Sequence, residues 1–290
     1  MSIPLLLLGT IGLPSDLAIA PPPPLIAQAS PDPQTADGQM ELGLQYIQQG
    51  QLDDAIAAFR RATQIAPQSA AAHYNLGLAL RQQGQLQPAA TAFYQAIQAD
   101  PNFAMAHANL GAALLEGNNI EQSAAYLERA IELDPNLGLA FYNLGLVRKQ
   151  QGEWEEAIAA LAQAMDLSPT APEPAYHLGQ IYLQQEAFDQ AAQAFEQAIA
   201  LNPNYAEAHY SLGTIHYRDG DLTEALNAFR RSAEANSNYA NAYYGAGLVF
   251  LQQRQLADAR RVLQYARDLF DLQGSDDWAS RAADLLEQID

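Results

Sequence analysis

The sequence predicts an all-α fold: an α-solenoid of seven tandem helix-turn-helix units closed by a C-terminal capping helix. Three observations predict it. Glycine recurs at Gly43, Gly77, Gly111, Gly145, Gly179, Gly213 and Gly247, each 34 residues after the last, with no insertion or deletion. Around every glycine the apolar residues follow the period of two amphipathic helices. Proline falls late in five of the units, at Pro67, Pro101, Pro135, Pro169 and Pro203, where it stops a helix. A chain of 290 residues would ordinarily suggest two domains, but a fixed period overrides that expectation.

The first segment is different in kind. Ile3 to Leu13 form an apolar run too short to cross a bilayer as a helix, ended by Pro14 and Asp16. It reads as the core of a signal peptide, although no Lys or Arg precedes it. A small-x-small cleavage pattern follows at Ala27-Gln28-Ala29, with Ser30 as the first mature residue. Residues 1–29 are therefore expected to be a signal-peptide-like leader that exports the chain to a periplasm or lumen. The alternative is an uncleaved Pro-rich leader on a cytoplasmic protein. Residues 30–35 are expected to be a disordered linker.

From Ala36 the units run 36–69, 70–103, 104–137, 138–171, 172–205, 206–239 and 240–273. Numbered from 1 within a unit, position 7 is leucine in six units and Ala246 in the last. Position 20 is Ala55, Ala89, Ser123, Ala157, Ala191, Ala225 and Ala259, and position 24 is Phe59, Phe93, Leu127, Leu161, Phe195, Phe229 and Leu263. Small residues at 8, 20 and 27 let helix axes approach closely. Gly50, Gly84, Gly152 and Gly220 at position 15 end a first helix and reverse the chain. Acids such as Asp53, Asp54, Glu121, Glu155, Glu156 and Asp189 then fall in the first turn of the second helix, where the helix dipole favours them. After Gln273 the pattern breaks. Residues 274–290 are expected to form a capping helix whose Trp278, Ala282, Leu285, Leu286 and Ile289 cover the end of unit seven.

The leucine-glycine pair at positions 7 and 8, the alanine and phenylalanine at 20 and 24, and the late proline resemble the tetratricopeptide repeat family over about four fifths of the chain. The resemblance implies two antiparallel helices per unit, stacked into a right-handed superhelix whose concave groove is lined by the first helices. It also implies that positions 2, 5, 6, 9, 12 and 13 face a ligand. Position 5 carries Tyr74, Tyr142, Tyr176, Tyr210 and Tyr244; position 6 carries Asn75, Asn109 and Asn143, then His177. Amides can grip a peptide backbone, and tyrosines offer apolar area with a polar tip. The same residues also suit helix packing. The three asparagines are similar to the ladder lining the superhelix of O-linked N-acetylglucosamine transferases, whose catalytic domain this chain lacks. Arg81 and Lys149 at position 12 are further groove candidates, with solvated side chains as the plainer reading. Chaperone-tail clamps need Lys or Arg at positions 2, 5 or 6, and none is present.

Composition narrows the function further. Thirty-three acids against 14 bases give a net charge of −19, which disfavours nucleic acid and anionic lipid as partners. There is no cysteine, hence no disulfide or thiolate chemistry. No phosphate loop, nucleophile elbow or metal-binding helix motif occurs, so neither catalysis, a cofactor nor a metal is expected. His73, His107 and His209 share position 4, which marks a repeat slot rather than a metal site. The expected function is a scaffold that binds a protein or peptide in its groove, with no span of the membrane by the mature chain; the sequence is silent on self-association. Two alternatives stand beside it. One is an assembly factor for a membrane complex, since a signal-like leader joined to such an array is similar to tetratricopeptide proteins of cyanobacteria and other Gram-negative bacteria. The other is a non-catalytic subunit that recruits substrate to an enzyme such as a glycosyltransferase.

Overall fold

A computed structural model describes residues 32–289, and these form fifteen α-helices with no strand among the described residues. The expected leader at 1–29 lies outside the described residues. Unit one pairs α1 (Ala36–Gln48) with α2 (Leu52–Ile65), and unit two α3 (Ala70–Gln82) with α4 (Leu86–Ala99). Units three and four pair α5 (Ala104–Glu116) with α6 (Ile120–Leu133) and α7 (Gly138–Gln151) with α8 (Trp154–Leu167). Units five and six pair α9 (Glu173–Gln184) with α10 (Phe188–Leu201) and α11 (Ala206–Asp219) with α12 (Leu222–Ala235). Unit seven pairs α13 (Ala240–Gln252) with α14 (Leu256–Leu272), and α15 (Asp276–Glu287) closes the array.

Each helix packs chiefly on its neighbours in sequence, which makes the fold a solenoid superhelix. The curvature follows from which helices meet across units. First helices of successive units touch, α3 with α5, α5 with α7, α7 with α9 and α11 with α13. Among the described residues, no pair of second helices meets to that extent. The first helices therefore line the inner, concave side.

Within a unit, the residue at position 24 sits under the glycine at position 8. Phe93, Leu127, Leu161, Phe195 and Leu263 are fully buried. A Cβ added at Gly179 would come 2.6 Å from the Phe195 ring, and one at Gly77 equally close to Phe93, so the two helices approach to a distance only glycine allows. Where serine replaces alanine in the interior, its hydroxyl is satisfied. Ser123 donates to the Gly111 carbonyl and Ser232 to that of Ala206, both at 2.7 Å.

Position 15 is left-handed in every unit, not only where glycine stands. Gly50, Gly84, Gly152 and Gly220 take φ of 72° to 84°, while Asn118, Glu186 and Arg254 are held at 58° to 59°. The turn geometry dictates this φ, and a residue with a Cβ bears it at a cost of roughly 1–2 kcal/mol. Glu186→Gly and Arg254→Gly are each expected to stabilise the fold by about 0.5–1 kcal/mol after glycine's greater unfolded-state entropy is offset. A higher urea midpoint with unchanged slope is the expected reading. Asn118→Gly should gain less, because asparagine tolerates this conformation.

The two ends depart from the repeat. Residues 30–35 were expected as a disordered linker, yet the described part, 32–35, is a capped turn. The Thr35 N–H donates to the Asp32 carbonyl at 3.1 Å, and the Thr35 hydroxyl accepts from the Gly38 N–H at 3.0 Å. Gln39, buried in α1, donates to the Pro33 carbonyl at 2.5 Å and ties the turn down. At the other end no proline closes unit seven, and α14 runs 17 residues against 14 for the other second helices. On α15, Trp278 stacks on Phe270 at 5.8 Å between ring centres, while Ala279, Ala282 and Leu286 are buried. The apolar face expected to cap the array does so.

Candidate partner-binding groove

The concave face starts from a ring ladder repeated in several units. Tyr74, Tyr176 and Tyr210 at position 5 each lie on the position-24 phenylalanine of their own unit, with centres 5.7–5.8 Å apart. Each also meets a ring at position 34: Phe103 at 4.9 Å, Tyr205 at 4.9 Å and Tyr239 at 5.5 Å. Tyr142 packs on Ala157, Leu161 and Ile181, and Tyr244 lies against Trp278 of the cap at 5.4 Å. These tyrosines are thus packing residues first, Tyr176 buried and the others partly exposed along the groove. Burial pushes the Tyr74 and Tyr176 hydroxyls up to about 12, and Tyr142, Tyr205 and Tyr239 upward as well, so all remain protonated donors.

The asparagines divide. All three donate one amide N–H to the carbonyl four residues back: Asn75 to Ala71, Asn109 to Met105 and Asn143 to Leu139, at 2.8–2.9 Å. Asn109 is wholly buried, donates its second N–H to the Tyr74 hydroxyl at 3.2 Å, and accepts from Arg81 at 3.3 Å. It has nothing left for a ligand. The expectation that Asn109 grips a peptide does not hold, and Asn143 is nearly as enclosed at 5% exposed. Asn75 alone keeps an accessible amide.

Arg81 also departs from the reading as a solvated cation. It is 5% exposed and pairs with Glu116 of the next unit, its Nε donating to Glu116 Oε1 at 2.9 Å. Together Arg81, Glu116, Asn109 and Tyr74 make an internal polar link between units two and three.

A second cluster sits between units four and five. Lys149 Nζ donates to Gln180 Oε1 at 2.5 Å and lies 3.4 Å from His177 Nδ1. His177 Nδ1 is 2.9 Å from Gln180 Oε1, and Gln180 Nε2 donates to the Tyr176 hydroxyl at 2.9 Å. Because the Gln180 oxygen can only accept, the imidazole proton sits on Nδ1. Burial pulls the Lys149 ammonium down to about 8. Burial, with Lys149 adding to it, holds His177 down at about 3 against the opposing hydrogen bond from Gln180.

The His177 shift has a pH consequence. Its folded value lies below the unfolded value of about 6.5, so the unfolded chain binds the extra proton. Stability is therefore whole above about pH 6.5 and falls as the pH drops through it, by at most about 1.4 kcal/mol per unit. Unfolding midpoints of the native chain between pH 7 and 5 should slope more steeply than those of His177→Asn.

The histidine slot at position 4 has a structural explanation. His73, His107 and His209 each place Nε2 2.9–3.1 Å from the carbonyl of the closing proline behind them, Pro67, Pro101 and Pro203. The carbonyl can only accept, which puts the proton on Nε2. Among the described residues, no group of three acids or histidines is placed to hold a metal.

Sequence reasoning missed Gln180, Tyr205, Tyr239, Glu173 and Glu207. Gln180 sits at position 9 among leucines and small residues, and the glutamates at position 2. Tyr205 and Tyr239 stand just before a first helix, outside the positions the resemblance marked. The recurrence of aromatics at position 34 was the available signal.

Models of the tetratricopeptide repeat match residues 70–103, 104–137, 126–159, 176–240 and 220–273, and a TPR repeat model matches 43–84 and 145–186. Together they run unbroken from 43 to 273, and the chain belongs to the tetratricopeptide repeat family. Proteins of this fold generally mediate protein–protein interactions. No curated protein matches the sequence. A chain of the APC/C hetero-tetramer Cut9–Hcn1 superposes with a TM-score of 0.67 at 19% identity, over 75% of this chain and 43% of that one, so this chain spans less than half of its length. PilF of Pseudomonas aeruginosa gives 0.63 at 22%, over 71% and 94%. YrrB, described as a TPR protein with an unusual peptide-binding site, gives 0.52 at 27% identity, over 67% and 99%.

Proposed function

We propose that the chain is a non-catalytic interaction scaffold that holds an extended segment of a partner protein along its concave groove at units four to six. The observation that carries this is the strip of partly open Tyr142, Tyr205, Tyr210 and Tyr239 with the half-buried side chains of His177 and Ser211. Such a strip offers apolar area and donors side by side, as an extended peptide requires. The peptide-binding site in YrrB supports the reading. Ser211→Arg would place a bulky cation in the groove while sparing the rings; Tyr94→Arg would do so on an exposed ring of a second helix, away from it. Quantitative mass spectrometry of co-purifying proteins should show partners lost with Ser211→Arg and kept with Tyr94→Arg. The opposite pattern would exclude the groove.

A second reading places the scaffold outside the cytoplasm, as an assembly factor for a membrane complex. It rests on the signal-like residues 1–29. Among the described residues no helix is long and apolar enough to cross a membrane. N-terminal sequencing of the protein from its host should find Ser30 first; Met1 or Ser2 would remove this reading.

A further inference from the structure

Lys149 is the single lysine of a chain whose other bases are all arginine. The arginines on the first helices are each matched to an acid. Arg81 pairs with Glu116, Arg148 with Glu128 and Glu153, and Arg218 with Asp219. Lys149, on the last turn of α7, has no carboxylate within 4.0 Å among the described residues. Its ammonium gives one proton to Gln180 and faces the N–H side of His177, which cannot accept. Two ammonium protons are left without a protein acceptor. A partly buried cation in this state is costly unless something pairs with it.

We propose that Lys149 anchors a side-chain carboxylate, aspartate or glutamate, within the extended partner segment; this rests on the groove reading above. Charge complementarity selects the carboxylate. One ammonium balances one carboxylate, whereas a dianionic phosphate would keep an unbalanced negative charge in a groove where Glu173 and Glu207 already act on the tyrosines. A chain terminus fits less well than a side chain. Lys149 lies in the fourth of seven units, so the groove continues on both sides of it, and a single ammonium supplies donors for one carboxylate edge. The half-buried setting of Lys149 strengthens the pairing relative to an exposed ion pair.

The test is a display selection of short random segments, fixed to linkers at both ends, against the full chain and against Lys149→Met. Selected segments should share an acid at one fixed position. Changing that acid to its amide should weaken binding by about tenfold or more. With Lys149→Met the acid and the amide should bind alike, and with Lys149→Arg the preference should return in part. The amide change leaves the protein untouched, and Lys149→Met removes an uncompensated charge, so thermal unfolding should show it at least as stable as the native chain. Selected segments without a fixed acid, or an acid preference unchanged in Lys149→Met, would overturn the proposal. Enrichment only from a library with free C-termini would replace the side chain by a terminal carboxylate and overturn it too. No enrichment from any library would remove the groove reading itself, and the anchor with it.

Discussion

Glu116→Ala is expected to destabilise the fold by about 3–5 kcal/mol, because it strands the Arg81 guanidinium in the interior. Arg81 is 5% exposed, and its other protein acceptor is the neutral Asn109 oxygen at 3.3 Å. With Glu116 gone, that amide oxygen cannot neutralise the charge. The loss should spread through the link to Asn109 and the Tyr74 hydroxyl, loosening units two and three together. The double replacement Arg81→Met with Glu116→Leu removes both charges and fills their volume, and should recover most of the loss. Urea unfolding followed by circular dichroism compares the three chains. A loss under about 1 kcal/mol for Glu116→Ala would show that Arg81 reaches water, contrary to its burial here.

Phe195→Ala is the second large effect, at about 3–5 kcal/mol. Its ring is fully buried under Gly179, against Tyr176, and in a cluster that includes Ala208 and Ile215 of the next unit. The backbone around Gly179 cannot close the cavity without moving a whole hairpin. In a solenoid, stability is a sum of unit and interface terms, so weakening one interface uncouples what lies on either side. The variant should therefore unfold in two steps, with units six and seven separating from units one to four. A single transition merely shifted to lower urea would mean that the array is more cooperative than its nearest-neighbour contacts imply.

The fold was legible in the sequence because each unit repeats the same solution. Gly179 and Phe195 stand at positions that recur seven times, and repetition turns a weak local preference into a fixed register. The groove was less legible. Asn109 and Asn75 occupy one slot, yet Asn109 is enclosed because Arg81 and Tyr74 close over it, whereas Asn75 has no such neighbours. That difference lies between units, where a pattern within one unit carries no information. Lys149 shows the same limit. Its lack of a carboxylate depends on what the next first helix brings alongside, Gln180 and His177 rather than an acid. Non-glycine residues at position 15 hid the left-handed turn in three units, although the backbone is the same there.

On the groove reading proposed above, the partner meets the inner face of units four to six and not the outer face. Site-specific photo-crosslinking tests it most directly. A benzophenone amino acid at Asn75 or Ser211 on first helices, and at Tyr94 or Tyr265 on exposed sites of second helices, is introduced into the full chain in its host. A discrete crosslinked partner is expected from Ser211, a weaker one from Asn75 beyond the strip, and none from Tyr94 or Tyr265. Crosslinks from Tyr94 and Tyr265 with none from Ser211 would contradict it.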